Sequence, residues 1–240
     1  MSINEEYNYL IETRNLTKYF GNKANLLCAL EEVDFIVKTG EFVALQGPSG
    51  CGKSTLLSIL GLLDVSTEGE YFLCGHRVEK LTKYQHAVLR NKHIGWVFQS
   101  FNLIGDMTVQ ENISLPLRYH DSIPKSDHSK LIANAIEKVG LSDKATAYPG
   151  QLSGGQQQRV AIARAIVAAP DIIIADEPTG NLDTKNAEVI FKLLKDLNEN
   201  GTTILMVTHD PELASRCKRV VNMKDGRVEL HGMMESKPID

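Results

Sequence analysis

The amino-acid sequence predicts an α/β fold built on a mostly parallel β-sheet. Three of its strand-like segments are nearly continuous apolar runs, which is typical of strands that helices cover on both faces. Between the strand-like segments lie stretches with a single apolar stripe at helical spacing, as at 131–139 and 189–197. A glycine-rich turn at 47–55 joins one apolar run to a helix pattern. This alternation indicates strands that are connected by helices.

Glycine and proline residues mark where the predicted helices end. Gly140 and Gly201 lie just after two helix patterns, and Pro170 closes a third at 156–169. The segment from about 100 to 155 has no long β-branched run, so we predict a mainly helical insertion between strands of the sheet. The predicted strands are 42–47, 94–99, 171–176, 202–209 and 219–226.

Composition disfavours several functional classes. The net charge of −4, with mixed signs, gives no basic surface for nucleic acid and no polybasic arm for anionic lipid. The apolar runs are far shorter than the roughly 20 residues that span a bilayer. The acidic start MSINEEYNYL is unlike a secretory signal, and the four cysteines lack the close paired spacing of a zinc or redox motif. We therefore expect a cytoplasmic protein with reduced thiols.

The turn GPSGCGKST at 47–55 fits the pattern G-x-x-x-x-G-K-[ST] of a phosphate-binding loop. Its glycines would let backbone N–H groups converge on phosphate oxygens at the positive end of the following helix. Lys53 would reach the β- and γ-phosphates, and the Ser54 hydroxyl would bind Mg²⁺. The alternative, an ordinary glycine-rich turn, fits the strand and helix context less well. The predicted nucleotide-binding residues are Gly47, Pro48, Ser49, Gly50, Cys51, Gly52, Lys53, Ser54 and Thr55.

An acidic pair ends the apolar run DIIIADEP at 171–178. Asp176 is positioned to bind Mg²⁺ directly or through water, and Glu177 is a candidate base for the attacking water. Taken alone, two acids can equally cap a strand at a surface turn. Together with the phosphate loop, they predict a phosphate-loop nucleotide hydrolase.

A third motif makes the sequence similar to a known family. LSGGQQQR at 152–159, shortly before DIIIADEP, resembles the signature of ATP-binding cassette (ABC) proteins. The order and closeness of the motifs match this family rather than other phosphate-loop proteins, and the resemblance covers about 14–228. Segments 89–117 and 173–187 look most like the ATPase subunits of macrolide-export and lipoprotein-release transporters.

The resemblance implies one ABC ATPase domain over residues 1–240 that binds ATP and Mg²⁺ and hydrolyses ATP. Its phosphate-loop NTPase core would include a small N-terminal antiparallel β region and occupy about 10–98 and 160–230. An inserted α-helical subdomain would occupy about 99–159, and residues 231–240 would form a tail.

Single residues at the family's motif positions acquire implied roles. Gln99 stands where ABC proteins have a glutamine close to the metal and the attacking water, and His209 where they have a switch histidine. Tyr19 stands where an aromatic residue contacts adenine, although packing within the antiparallel sheet is the alternative. Alone, Gln99 and His209 would be ordinary polar residues at strand ends. The implied catalytic residues are Glu177, His209 and Gln99, and the implied metal ligands are Ser54, Gln99 and Asp176.

The signature segment indicates assembly. Ser153 and the N–H groups of the following glycines begin a helix and form a second anion site, although residues 47–55 already hold one set of phosphates. In the family these two sites belong to different subunits, which bury two ATP molecules between them. The resemblance therefore implies an ATP-dependent homodimer, or a heterodimer with a homologous chain. The implied contacts from the second subunit are Ser153, Gly154, Gly155, Gln156 and the dimer-contacting Asp183.

The resemblance also implies a separate transmembrane permease subunit, with this protein peripheral on the cytoplasmic face of the inner (plasma) membrane and without a nucleic-acid partner. Family members meet that subunit after the residue corresponding to Gln99, where this chain has the apolar residues Phe101, Leu103 and Ile104. A local cluster inside the helical subdomain is the alternative interpretation.

Two other functions are disfavoured. ABC ATPases of DNA repair or translation carry long coiled-coil insertions, zinc modules or tandem cassettes, none of which fits in 240 residues with one set of motifs. A catalytically inactive scaffold cassette is disfavoured because Lys53, Glu177 and His209 are all present.

Overall fold

The computed structural model describes residues 9–22 and 25–229, so the predicted tail at 231–240 and most of the N-terminal MSINEEYNYL segment lie outside the described residues. The strands are β1 (Ile11–Phe20), β2 (Leu27–Val37), β3 (Phe42–Gln46), β4 (Glu68–Leu73), β5 (His76–Arg77), β6 (Ile94–Phe98), β7 (Ile172–Asp176), β8 (Thr203–Val207), β9 (Arg219–Lys224) and β10 (Arg227–Glu229). The helices are α1 (Lys53–Leu60), α2 (Lys83–His93), α3 (Val109–Arg118), α4 (Lys125–Lys138), α5 (Gly154–Ile166), α6 (Thr184–Glu199) and α7 (Pro211–Ser215).

Over residues 9–22 and 25–229, the larger sheet has six strands in the order β10-β9-β3-β8-β7-β6, and only the edge strand β10 is antiparallel to its neighbour. Phe98 pairs with Asp176, Asp176 with Val207, and Val207 with Leu45. The carboxyl ends of four parallel strands therefore lie in one row, and the loops that follow them meet at one edge of the sheet.

The smaller sheet is antiparallel, with the order β2-β1-β4-β5. Its inward side chains, including Leu16, Leu30 and Leu73, form one core with Leu56 and Leu60 of α1. This shared core fixes the antiparallel sheet against the helix that follows the glycine-rich turn.

A second core joins the helical segment to the other face of the parallel sheet. Val109 and Ile113 of α3, Ile136 of α4 and Val160 of α5 pack there with Ile173 of β7. Thr108 caps α3 in a capping box with Glu111, which sets the start of the insertion. Within the described residues, no helix is long and apolar enough to cross a bilayer.

The predicted fold class is confirmed, and the five predicted strands correspond to β3, β6, β7, β8 and β9. Several predicted boundaries differ from those of the structure by one to three residues. The helix predicted at 156–169 is α5, which ends at Ile166; Ala169, which precedes Pro170, adopts φ +51° and lies beyond the helix. The strand predicted at 202–209 ends before His209, which consequently lies in the loop after β8.

Candidate functional site

The glycine-rich loop between β3 and α1 adopts a conformation that requires glycine. Gly47 has φ +153° and Gly52 has φ +102°. A Cβ atom at Gly47 would lie 2.1 Å from the carbonyl oxygen of Met223, and one at Gly52 would lie 2.5 Å from that of Ala29. Gly52 precedes α1 without a side-chain cap, so the backbone N–H groups of the first helical turn are available to an anion.

Lys53 is folded back onto this loop. Lys53 is only 6% exposed. Its Nζ donates hydrogen bonds of 2.8 Å to the carbonyl oxygens of Gly47 and Pro48. The ammonium group is thus held inside the loop, where phosphate oxygens could replace these carbonyl partners. Among the other predicted loop residues, Ser49, Gly50 and Ser54 are exposed, Thr55 is half-buried and Cys51 is buried.

The ends of β7 and β8 bring an acidic pair and a histidine together. Asp176 is half-buried. Its pKa is raised, because the effects of burial and of the neighbouring Glu177 outweigh the opposite effects of Lys53 and His209. Glu177 adopts φ +46°, and its Oε1 lies 2.7 Å from Nε2 of His209. The structure therefore holds a carboxylate with a histidine partner next to Asp176 and within electrostatic reach of Lys53.

Gln99, which follows β6, is fixed by a residue that sequence reasoning missed. The Nε2 of Gln99 donates to Oδ1 of Asn181 at 3.2 Å, and Nδ2 of Asn181 donates to the backbone oxygen of Gln99 at 3.1 Å. A Cβ atom at Gly180 would lie 2.7 Å from Nε2 of Gln99 and 3.3 Å from Oε2 of Glu177. Because Gly180 has no side chain, the amide of Gln99 and the carboxylate of Glu177 both approach this point.

The signature residues form the start of α5. Ser153 is exposed and caps the helix: its Oγ accepts from the N–H of Gln156 at 3.3 Å, and its own N–H donates to Oε1 of Gln156 at 2.9 Å. Within the described residues, no hydrogen bond or ion pair joins 153–156 to 47–55. The signature and the phosphate loop of one chain are therefore not linked by direct polar contacts.

Asp183 is the N-cap of α6. It accepts hydrogen bonds from the backbone N–H and the Nδ2 of Asn186, at 2.8 and 2.6 Å, and these bonds lower its pKa. A Cβ atom at Gly155 would lie 2.5 Å from Oδ1 of Asn186, so Asn186 connects Asp183 to the signature helix. Sequence reasoning missed Asn186, although Asp followed three residues later by Asn fits a helix cap.

Tyr19 lies in β1, opposite Cys28 of β2. The next residue of β2, Ala29, contributes the carbonyl oxygen that approaches Gly52. Tyr19 is half-buried, and its backbone N–H donates to Oγ1 of Thr67 at 3.1 Å. The strand pair that carries Tyr19 is therefore next to the phosphate loop.

The apolar residues after Gln99 are predicted to form either a partner-contacting surface or a local cluster inside the helical subdomain, and they differ in their packing. Leu103 packs against the second core, which favours a local cluster. Ile104 is 46% exposed and is free of that core. Phe101 is half-buried, and its ring lies 3.7 Å from the position of a Cβ atom at Gly154.

Sequence reasoning also missed an open groove of about 740 Å³ between α2, β6, α3 and α5. Its lining includes Val88, Trp96, Pro116 and the aromatic residues Tyr84 and Tyr119. Both tyrosines are 73% exposed. A large, partly aromatic concavity of this kind is typical of a protein-binding surface.

Comparisons with known proteins agree with the motifs. Residues 30–180 match the family model described as ABC transporter. An uncharacterized ABC transporter ATP-binding protein of Methanocaldococcus jannaschii is 46% identical over 219 residues, which cover 91% of this chain and 97% of that protein. The macrolide export ATP-binding/permease protein MacB of Chlorobaculum tepidum is 46% identical over 219 residues, or 91% of this chain. The chain spans about a third of that protein, since the match covers 33% of its length.

A solved structure gives the same result for the fold. The ATP-binding cassette MJ0796, determined as a dimer in a post-hydrolysis state with ADP and Pi, superposes with a TM-score of 0.83. It is 42% identical, and the match covers 92% of this chain and 99% of that one. The predicted resemblance is confirmed by these matches, and the chain belongs to the ABC transporter family.

Proposed function

We propose that this protein is the ATP-hydrolysing subunit of an ABC transporter or mechanotransmission complex, in which ATP-driven closure of a dimer acts on a separate membrane subunit. The observation that carries the proposal is the grouping of Lys53, Asp176, Glu177 and His209 at one edge of the sheet, with 2.7 Å between Oε1 of Glu177 and Nε2 of His209. A lysine that can bind phosphate oxygens and a nearby carboxylate that can accept a proton are groups suited to phosphoryl transfer to water.

The residues at this edge fit both ATP and Mg²⁺. Lys53 would exchange the carbonyl oxygens of Gly47 and Pro48 for β- and γ-phosphate oxygens, while the N–H groups at the start of α1 hold the remaining charge. Ser54, Gln99 and Asp176 offer hydroxyl, amide and carboxylate oxygens, which are the donors that Mg²⁺ prefers. When bound, the ion would neutralise charge on the phosphates.

Glu177 is the proposed base. Its carboxylate would accept a proton from the attacking water, and His209 would hold that carboxylate in position through the 2.7 Å contact. The amide of Gln99, fixed by Asn181, would help to orient the same water. These roles explain why three loops from three strands converge on one point.

The nucleotide site would be completed by a second chain. Ser153 is exposed, and because its Oγ already accepts a hydrogen bond from Gln156, its hydroxyl proton is free to be donated to a phosphate. MJ0796, which has the same fold, was determined as a dimer. We therefore propose a head-to-tail dimer in which each ATP lies between the phosphate loop of one chain and residues 153–156 of the other. Tyr19 would contact the adenine ring.

The groove between α2, β6, α3 and α5 is the proposed docking surface for a segment of the membrane subunit, at the cytoplasmic face of the inner membrane. Its wall includes β6, which leads directly to Gln99, so movement at the nucleotide would reach the groove through one strand. The M. jannaschii relative, which this chain covers almost completely, is named as an ATP-binding protein alone. That name supports a permease on a separate chain.

Changing Tyr84 and Tyr119, which both line the groove, to serine together is expected to reduce capture of the membrane subunit several-fold without lowering the melting temperature, because both side chains are exposed. Capture is measured by co-purification of the tagged chain from solubilised native membranes, with the bound polypeptide identified. Val189→Ser, at a 47% exposed position on α6, is the control and should capture normally. Equal capture by the double variant and the control would exclude this docking surface.

ATP binding is expected to shift the emission of Trp96, the only tryptophan, more than ADP does. The Trp96 ring stacks on Phe98 at 4.9 Å, and its Nε1 donates to the carbonyl oxygen of Gly61 at 3.1 Å, so it senses the end of β6. Gln99→Ala should reduce the ATP-induced shift and leave nucleotide affinity nearly unchanged, whereas Gln110→Ala on α3 should change neither. A full shift in the Gln99 variant would contradict coupling through this residue.

A further inference from the structure

Three side chains with metal-binding atoms meet at the edge of the sheet opposite the nucleotide site. Ile94 pairs with Ile172 in the parallel strands β6 and β7, so the residues that precede these strands, His93 and Asp171, are neighbours. Nδ1 of His93 lies 2.6 Å from Oδ2 of Asp171. Cys74 reaches the same point from the turn between β4 and β5, and one ligand atom from each of the three residues lies within 4.8 Å of the others.

The described part of the protein leaves one ring nitrogen of this histidine without a partner. His93 is only 8% exposed, and its Nε2 has no hydrogen-bond partner among the described residues. A buried polar atom without a partner is uncommon, and it often marks a place where an ion or a ligand binds. A second histidine, His76, lies nearby: the centroids of its ring and of the His93 ring are 6.1 Å apart.

We propose that the Cys74 thiolate, a ring nitrogen of His93 and the Asp171 carboxylate bind one divalent cation of the zinc type, with water as the fourth ligand. Sulfur and imidazole ligands select Zn²⁺ over Mg²⁺. Zinc–ligand bonds of 2.0–2.3 Å place tetrahedral ligand atoms about 3.3–3.8 Å apart. Ligand atoms at the 4.8 Å limit would therefore have to approach by about 1 Å, whereas Nδ1 of His93 and Oδ2 of Asp171, at 2.6 Å, would have to move apart. The Asp171 side chain, which is 48% exposed, is free to make this movement and leaves one side open to water.

Binding exchanges a proton for the cation. Burial raises the pKa of Cys74 to about 12, so the thiol is neutral in the metal-free protein and its proton passes to the buffer when the sulfur–metal bond forms. The cation would then connect the antiparallel sheet, through the β4–β5 turn, to the amino ends of two strands of the parallel sheet. We therefore expect Zn²⁺ to raise the melting temperature of the reduced, nucleotide-free chain.

Co²⁺ is a suitable probe because its sulfur-to-cobalt charge-transfer absorption reports a thiolate ligand directly. The reduced, chelator-treated full chain should bind one Co²⁺ with this absorption, and Zn²⁺ should remove it. Cys74→Ser should abolish the absorption, and Asp171→Asn should weaken Co²⁺ binding by about tenfold or more. Cys217→Ser is the matched control, since Cys217 is also partly buried with its pKa raised to about 12 but lies outside the cluster.

Absence of the absorption in the parent protein would overturn the proposal, as would its persistence in the Cys74 variant or an equal loss in the Cys217 variant. If Cys74→Ser does not fold, Asp171→Asn carries the test, because it changes an exposed side chain. That variant should lose the stabilisation by Zn²⁺, measured as the difference between its own melting temperatures with Zn²⁺ and with EDTA, because the substitution also alters the 2.6 Å contact with His93 in the metal-free protein. Stabilisation by Zn²⁺ equal to that of the parent would reject Asp171 as a ligand.

Discussion

Replacing Glu177 by glutamine is expected to lower ATP hydrolysis by about 10²- to 10⁴-fold and to leave ATP binding intact. The amide has nearly the shape of the carboxylate but cannot accept the proton of the attacking water at neutral pH. Its contact with His209, 2.7 Å from the carboxylate in the parent protein, can be kept as a hydrogen bond. Phosphate release measures hydrolysis, and equilibrium titration with a fluorescent ATP analogue measures binding.

Two further variants separate catalysis from binding. Lys53→Ala is expected to weaken ATP binding, and not only hydrolysis, because it removes the ammonium group held inside the phosphate loop. Glu188→Gln is the matched control: Glu188 pairs with Arg216 at 2.6 Å on an exposed surface, where the loss of one ion pair costs little. Hydrolysis at the parent rate by the Glu177 variant would remove Glu177 from the proposed mechanism.

The Glu177→Gln protein is also expected to be a monomer without nucleotide and a dimer with saturating ATP. Because ATP that contacts two chains binds only the closed dimer, it stabilises that state by mass action, and blocking hydrolysis preserves it. Light scattering after size exclusion at low salt should show the molecular mass double. A mass that stays unchanged with ATP would contradict the shared site.

Adding Ser153→Asp to the Glu177→Gln protein tests whether Ser153 of the second chain contacts the ATP that the first chain holds. Aspartate still caps α5, so the helix is retained, but its charge repels the phosphates of ATP held by the other chain. The double variant should bind ATP through its own loop and remain a monomer. Thr108→Asp makes the same change at the cap of α3 and should dimerise normally. Dimerisation of both double variants would exclude Ser153 from the interface.

Several features of the protein are determined by contiguous sequence. The phosphate loop can be predicted because its nine residues, 47–55, form one turn whose glycines are required by local backbone geometry. The buried parallel strands can be predicted from short apolar runs, since helices cover both of their faces. The fold class and the family follow from such local patterns and their order.

The extent and contacts of these elements depended on tertiary structure. Leu103 and Ile104 are adjacent apolar residues, yet only Leu103 packs against the helical core. The contact of Gln99 with Asn181 spans 82 residues, and that of His93 with Asp171 spans 78. Pairings of this kind arise from the register of β6, β7 and β8, in which residues far apart in the chain end or begin strands side by side. Local sequence determines which strands form, whereas strand order and register decide which side chains meet, because they depend on how the entire core packs.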